Sequence, residues 1–400
     1  MNKTETKKVP RLRFREFTDE WQVKKLGDIF NYKNGGAFEN NLVDQGLYKL
    51  ITLNSINIDG NLKQKHKTVN RADWYLKKDD LVMVLSDVAH GNFLGLTDII
   101  PEDDRYVLNQ RMGLLRQKDK SINLGFMRTL ININQKYFKL HGQGSSQQNL
   151  SKGDILKFKV IAPNKDEQEK IADFLTTVDE RISGLQKRVE LLQKYKKGMM
   201  QKIFTQEIRF KKVNGKDYPA WQEKKLVEVA AINPKTSSLP EEFVYIDLES
   251  VVTGRLISKN KIKQLNAPSR AQRLLKPDDI LYQTVRPYQR NNLYFNKNGQ
   301  YVASTGYAQI RARANSRFLY QLVHTDNFVN KVLDYCTGTN YPAINSSDLG
   351  GILVEVPNSQ EEQHKIAEFL TSLDDKIELT ERELGQAKQF KKALLQQMFV

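Results

Sequence analysis

The 400-residue chain is short of what a secreted or membrane protein would carry. A single cysteine, Cys336, rules out an intramolecular disulfide and fits a reducing compartment. The opening MNKTETKKVPRLRF lacks an apolar secretion stretch, and no run of about 18 apolar residues follows. A cytoplasmic protein with no membrane span is therefore expected. Catalytic signatures are missing too. No G-x-x-x-x-G-K-[ST] phosphate loop occurs, and no Asn or Asp precedes the Pro-Pro-aromatic triplet that resembles an adenine-methyltransferase active site. His66, His90, His141, His324 and His364 stand apart without metal-ligand spacing. No catalytic and no metal site is expected in this chain.

What is abundant is positive charge, 63 Lys and Arg against 47 Asp and Glu, a net +16. Residues 1–205 hold 36 basic against 25 acidic side chains, and residues 206–400 hold 27 against 22. Both halves are basic, which points to a polyanionic partner, nucleic acid foremost. A hydrophobic content of 39% with eighteen Phe supports folded domains, and the length exceeds what one core usually holds.

The chain repeats itself. EQEKIADFLTTVDERI (167–182) returns as EQHKIAEFLTSLDDKI (362–377), identical at ten of sixteen positions. WQVKKLGDI (21–29) is echoed by WQEKKLVEV (221–229), and RLRF ending at Phe14 by EIRF ending at Phe210. LKKDDLVMV from Leu76 matches LKPDDILYQ from Leu275, VIAPNKDEQ from Val160 matches VEVPNSQEEQ from Val354, and the tails YKKGMMQKIF and FKKALLQQMF also correspond. Offsets of 194–200 residues mark a tandem duplication of nearly the whole chain.

Each repeat reads as a mixed globular domain followed by a long helix. Strands are expected at LVMVLS, DILYQTV and KFKVIAP, and helices at NLGFMRTLININQKYF and SRFLYQLVHTDNFVNKVLDY. HGNFLG, HGQGSSQQN and GTGTNYPAIN are expected loops. The long helices carry a heptad seam. In the first it runs through Ile171, Leu175, Val178, Ile182, Leu185, Val189, Leu192, Lys196, Met199 and Ile203. In the second it runs through Ile366, Leu370, Leu373, Ile377, Thr380, Leu384, Ala387, Lys391, Leu394 and Met398. Such 3.5-residue spacing builds a coiled-coil seam, with Lys196 and Lys391 as matching polar positions that fix register. Two arrangements are open: the helices, each about 60 Å long at ~1.5 Å per residue, pair antiparallel, or each seam packs on its own domain.

Domain, long helix, homologous domain, homologous helix, with P…EQ.KIA.FL..LD..I after each domain, resembles the DNA-specificity subunit of a type I restriction-modification system. YQTVRPYQRN (282–291), ASTGYAQIRA (303–312), GQGSSQQNLSKGDILKFKV and GTNYPAINSSDLGGILVEV resemble stretches of that family's target-recognition domains. The resemblance implies an α+β fold of two homologous mixed α/β target-recognition domains, separated by two long helices in an antiparallel coiled coil with pseudo-twofold symmetry. The corresponding boundaries are 1–163, 164–205, 206–357 and 358–400. It further implies a non-catalytic subunit that reads a bipartite double-stranded DNA site and docks two methylation subunits and motor-nuclease subunits. S-adenosylmethionine, ATP and Mg would then belong to those partners, and this chain would hold no cofactor.

Base edges are read by Arg, Asn and Gln, while Lys, Ser and Thr mostly hold phosphates. The candidates for DNA contact in the first repeat are Asn92, Asn109, Gln110, Arg111, Gln143, Ser145, Ser146, Gln147 and Gln148. Those in the second are Thr284, Arg286, Tyr288, Arg290, Asn291, Thr339, Asn340 and Tyr341. Arg286-Pro287-Tyr288 has a second reading, a segment that shapes the domain rather than reads bases. Glu167, Gln168 and Lys170, with Glu362, Gln363 and Lys365, are candidates for partner docking; the plain alternative is a solvated first turn with acidic residues at the helix dipole. Asp79-Asp80 and Asp278-Asp279 could be paired carboxylates on a metal, but their place before an apolar strand favours turn residues. Two other classes remain. A coiled-coil scaffold would leave the charge unexplained, and a self-contained nuclease or methyltransferase would lack its motifs.

Overall fold

The computed structural model describes residues 9–88, 92–338 and 340–400. The chain divides into two compact units, Met1–Gly184 with Leu384–Val400, and Leu185–Glu383. This division does not follow the repeat. It falls inside both long helices, Lys165–Phe204 and Gln360–Met398, so each unit holds one globular domain and a part of each helix.

In the first unit, one four-stranded antiparallel sheet has the order Phe30–Asn34, Met112–Gln117, Leu81–Val84, Thr97–Ile99. A second has the order Leu42–Val43, Lys67–Val69, Tyr48–Ile51, Tyr106–Leu108, its last pair parallel. The expected strand LVMV is buried at all four positions, because alternate side chains enter different cores. Leu81 and Met83 join Trp21, Phe126 and Phe138, whereas Val82 and Val84 join Leu96, Leu108 and Leu114. Helix Leu124–Ile133 starts where the Asn123 carboxamide oxygen accepts from Phe126 N at 2.9 Å, and it buries Phe126, Met127, Leu130 and Ile131.

The second unit repeats the plan. Its sheets have the orders Ala230–Ile232, Tyr307–Ala312, Ile280–Gln283, Leu293–Tyr294 and Asn260–Lys263, Glu242–Ile246, Tyr301–Ser304, Ala271–Leu274. Again the central strand divides its side chains, Ile280 and Tyr282 to one core and Leu281 to another. The long helical stretch expected from Ser316 is two helices, Ser316–Leu322 and Asp326–Asp334. Thr325 leaves the helical conformation between them and its hydroxyl accepts from Phe328 N at 3.2 Å. The loop expected around 141–149 also differs, since Gln147–Asn149 pairs with Ser86–Val88, a strand that only tertiary contact creates.

The seam reading of the long helices holds, with all twenty heptad positions buried or half-buried. In the second unit Gln193 meets Glu381 at 3.2 Å and Lys196 meets Asp374 at 2.6 Å. One helix ascends as its partner descends, so the pairing is antiparallel. In the first unit Leu394, Met398 and Phe399 share a core with Ile171, Leu175 and Val178, and the Phe399 ring stacks on Phe126 at 5.2 Å. Both arrangements left open above are therefore combined. Each seam packs on its own domain at one end and on the other helix besides. Lys196 pairs with Asp374, and Lys391 with Asp179 at 2.5 Å. These are one interaction with the helices exchanged, because both lysines and both aspartates are separated by 195 residues.

Candidate nucleic-acid interface

In the first unit Gln110 and Arg111 are exposed on the turn between strands Tyr106–Leu108 and Met112–Gln117. Asn109 beside them is buried and occupied, donating to Glu39 Oε1 at 3.1 Å and accepting from Phe38 N at 3.4 Å. It shapes the turn. Thr52, Asn54 and Lys67 line a cleft of about 130 Å³ together with Asn109 and Arg111. Gln143, Ser145 and Ser146 are exposed, while Gln147 and Gln148 are half-buried in the strand beside Ser86–Val88. Gly144 has φ +116°, and a Cβ there would lie 2.1 Å from the Gln147 carbonyl oxygen, so this turn needs glycine. Leu85 ties the two segments together, its N donating to Arg111 O at 3.0 Å and its O accepting from Leu150 N at 2.8 Å. Asn92 is exposed. Its side chain accepts from Lys139 Nζ at 2.9 Å, a basic neighbour not among the expected residues.

The second unit gathers its candidates on one loop and the segment facing it. Arg286 and Arg290 flank a single turn, Pro287–Gln289, and both have φ +53°. The left-handed region is costly for such side chains, so the surroundings must hold it. Arg286 N donates to Pro342 O at 2.7 Å, and its guanidinium lies over the Tyr341 ring at 4.2 Å. Arg290 is committed elsewhere, to His324 O at 3.1 Å and Asp326 Oδ1 at 2.5 Å. Thr284 is buried and donates to Gly306 O at 2.9 Å, and Asn291 accepts from Thr253 N at 3.0 Å. Tyr288, Asn340 and Tyr341 are exposed. Thr339, like His90, lies outside the described residues.

Two residues under this loop were not expected. Asn292 is buried; its oxygen accepts from Gln283 N at 2.8 Å and its nitrogen faces His324 Nε2 at 3.3 Å. Burial pushes the His324 imidazole down to about 4, against the backbone hydrogen bond to Tyr320 O, so it is neutral at pH 7. The run RNN before an apolar strand carried no signal for Asn292, because burial is decided by the fold.

The six docking candidates fare differently from either expectation. Glu167 and Glu362 are 0% exposed, and Gln168 and Gln363 are buried with them. The Arg13 guanidinium grips Glu167 through Nε and Nη2, both at 2.7 Å, and also reaches Asp19 O. Arg209 does the same to Glu362, at 3.1 and 2.9 Å, and reaches Pro219 O. Gln168 donates to Pro163 O at 2.8 Å and Gln363 to Pro357 O at 2.9 Å. The two glutamates latch each long helix to the chain segment before its domain, and the two glutamines tie it to the proline that precedes the helix. Groups so enclosed cannot present a docking face, and the expectation is corrected for them. Lys170 is exposed and paired with Glu16, and half-buried Lys365 donates to Lys211 O at 2.8 Å. The repeated RLRF and EIRF motifs contained the signal for the latch, since their arginines recur with the glutamates at nearly the same offset.

The aspartate pairs are turn residues, as their position favoured. Asp79 and Asp278 have φ near +70°. Asp80 is buried and forked by Arg116 at 2.8 and 2.6 Å; Asp279 is buried, forked by Arg311 at 2.7 and 2.8 Å, and also bound by Gln309 at 2.7 Å. Among the described residues no group of three His, Cys, Asp or Glu could hold a metal ion, and no helix is long and apolar enough to cross a membrane.

Residues 18–193 and 219–389 each match the Type I restriction modification DNA specificity domain. The chain is 24% identical over 414 residues to the type I restriction enzyme MjaVIII specificity subunit of Methanocaldococcus jannaschii, covering 94% of this chain and 91% of that one. It is 28% identical over 164 residues to the HindI specificity subunit of Haemophilus influenzae, covering 39% and 35% respectively. Among solved structures, the type I restriction-modification S subunit of M. genitalium shares the fold with a TM-score of 0.64 at 17% identity, over 98% of this chain and 99% of that one.

Proposed function

From a chain that belongs to the type I restriction modification DNA specificity family, with two copies of its domain, we propose a non-catalytic subunit that reads a bipartite double-stranded DNA site. Each unit contacts one half-site, through the loops at 110–111 and 143–148 in the first and at 286–291 and 340–341 in the second. The long helices serve as the spacer between half-sites. Two methylation subunits dock on this chain, and motor-nuclease subunits join them. S-adenosylmethionine, ATP and Mg belong to those partners.

The observation that carries the reading is the duplicated latch. Arg13–Glu167 and Arg209–Glu362 fix each domain to its own helix by a buried ion pair, as a ruler of constant length requires. A reader held by a loose linker would tolerate variable gaps. With the latch residues enclosed, partner docking falls to apolar side chains that the long helices leave exposed, Leu191 and Tyr195 on the first and Leu379 and Phe390 on the second.

The test is co-expression with the methylation subunit encoded beside this chain, in a host without DNA methylation, followed by mapping of N6-methyladenine by single-molecule sequencing. A single split motif with a constant gap, modified on both strands, is expected. An assembled, cofactor-binding complex that methylates nothing would overturn the specificity role and favour a coiled-coil scaffold.

A further inference from the structure

Arg286 and Arg290 share one strained backbone conformation but not one fate. Arg290 is neutralised by Asp326 and donates to a backbone carbonyl. Arg286 has no acidic partner, and its guanidinium makes no hydrogen bond with the described residues; its Nε is buried and unpaired. A buried donor without an acceptor is uncommon in a native fold; here it marks a guanidinium held by packing, whose Nη groups, unbonded and not enclosed, are the donors that an outside acceptor can reach. The neighbouring contacts also point outward. The guanidinium lies over the ring of Tyr341, which is 65% exposed, and Tyr288 on the same turn is 50% exposed. Stacking on an aromatic face holds the planar fork in orientation while its remaining donors stay free. The left-handed φ at Arg286, held by the Pro342 carbonyl, fixes where the side chain leaves the loop.

Resting on the reading above, we infer that Arg286, braced on Tyr341, reads a guanine in the half-site of the second unit, its fork bonding O6 and N7 in the major groove. A planar two-donor fork matches that pair of acceptors, which is the commonest specific arginine–base contact. Arg290, although only four residues on at the other end of the turn and in an equivalent conformation, positions the loop and touches no base.

The experiment uses the complex with its methylation subunits. The wild-type motif is mapped first, and each guanine of both half-sites is then replaced in turn by 7-deazaguanine, which lacks the N7 acceptor, in binding assays with wild type and R286K. One guanine should lose affinity on deaza substitution in wild type and be nearly insensitive in R286K. The R286K motif should relax at that position only, with discrimination lowered roughly 5- to 150-fold, the range one bidentate pair provides. The other half-site and the gap should not change. The wild-type deaza series needs no variant, so it stands even where R286K folds poorly. A motif whose half-sites contain no guanine sensitive to deaza substitution would overturn the assignment. So would R286K binding all sequences more weakly, with a salt slope smaller by about 1 and an unaltered motif, the signature of a phosphate contact. A wild-type complex that yields no motif at all would overturn the specificity reading itself, and this assignment with it.

Discussion

The two units were built from one sequence and have aged at different rates in different places. The joints have hardly moved. A guanidinium forks a fully buried glutamate in both units, a glutamine carboxamide ties the next helical position to a proline carbonyl, and a buried aspartate after a left-handed turn is forked by an arginine from the adjacent strand. The loops share little. The first unit presents Gln143, Ser145 and Ser146 on a glycine turn, and the second presents Tyr288, Tyr341 and the Arg286 stack. A joint is constrained by burial, where an unpaired charge is costly, whereas a loop in water can change its side chains freely. Half-sites of different sequence are what such a division would allow.

Removing the joints should have the largest effect. Glu362→Ala and Glu167→Ala each leave an arginine without its buried partner and should destabilise their unit by about 3–5 kcal/mol in urea unfolding. Glu362→Ala should cost the more of the two, because Trp221 Nε1 also donates to Glu362 at 3.3 Å, while Trp21 Nε1 is unpaired already. Equal losses would remove the Trp221 contribution, and negligible losses would remove the latch itself as a source of stability.

Acid should separate the units next. His324 titrates near 4 in the fold against about 6.5 when unfolded. Its pKa is depressed, so the unfolded chain binds the proton first; the contribution is complete above about 6.5 and is lost as pH falls toward 4. The loss is on the order of 3 kcal/mol. His66 in the first unit is lowered in the same direction by burial. Unfolding midpoints of the second unit, followed from pH 7.5 to 4.5, should fall with pH, and His324→Gln should flatten that fall. An unchanged slope in the variant would remove His324 as the cause.

A smaller difference is expected at the turn aspartates. Asp279→Asn disturbs a carboxylate that takes Gln309 as well as Arg311, and should cost more than Asp80→Asn, by about one charged hydrogen bond, roughly 1.5–3 kcal/mol. Thermal unfolding of the two variants measures this directly. Smallest are the seam pairs. Lys196–Asp374 and Lys391–Asp179 are partly exposed, so double-mutant cycles should give below about 1 kcal/mol each. Lys196 is the less exposed lysine, 17% against 30%, and its coupling should be the greater.

Much of the architecture was legible because it depends on periodicity and repetition. Every heptad position of both helices is buried or half-buried, and LVMV and DILY announced central strands by short apolar runs after turn residues. The docking residues were misplaced for a physical reason. Glu167 and Gln168 are polar and sit in a helical first turn, so sequence pattern assigns them to water. Glu167 is enclosed by Arg13, 154 residues away, and Gln168 by the backbone of Asn123 and Pro163. Asn109 was misread in the same way, as a loop donor, whereas Glu39 and the Phe38 backbone enclose it.

The sequence by itself determined that there are two domains, that they are homologous, that each is followed by a seam-bearing helix, and that the whole is basic. These follow from local spacing, which chemistry reads without knowing what lies across the fold. Only the tertiary structure decided which polar groups are inside. It also decided that the compact units cut through the helices, and that of two arginines in one loop Arg290 is satisfied and Arg286 is not. Those outcomes turn on partners from 36 to 154 residues apart in the chain, and hydrogen-bond geometry at that range leaves no period in it.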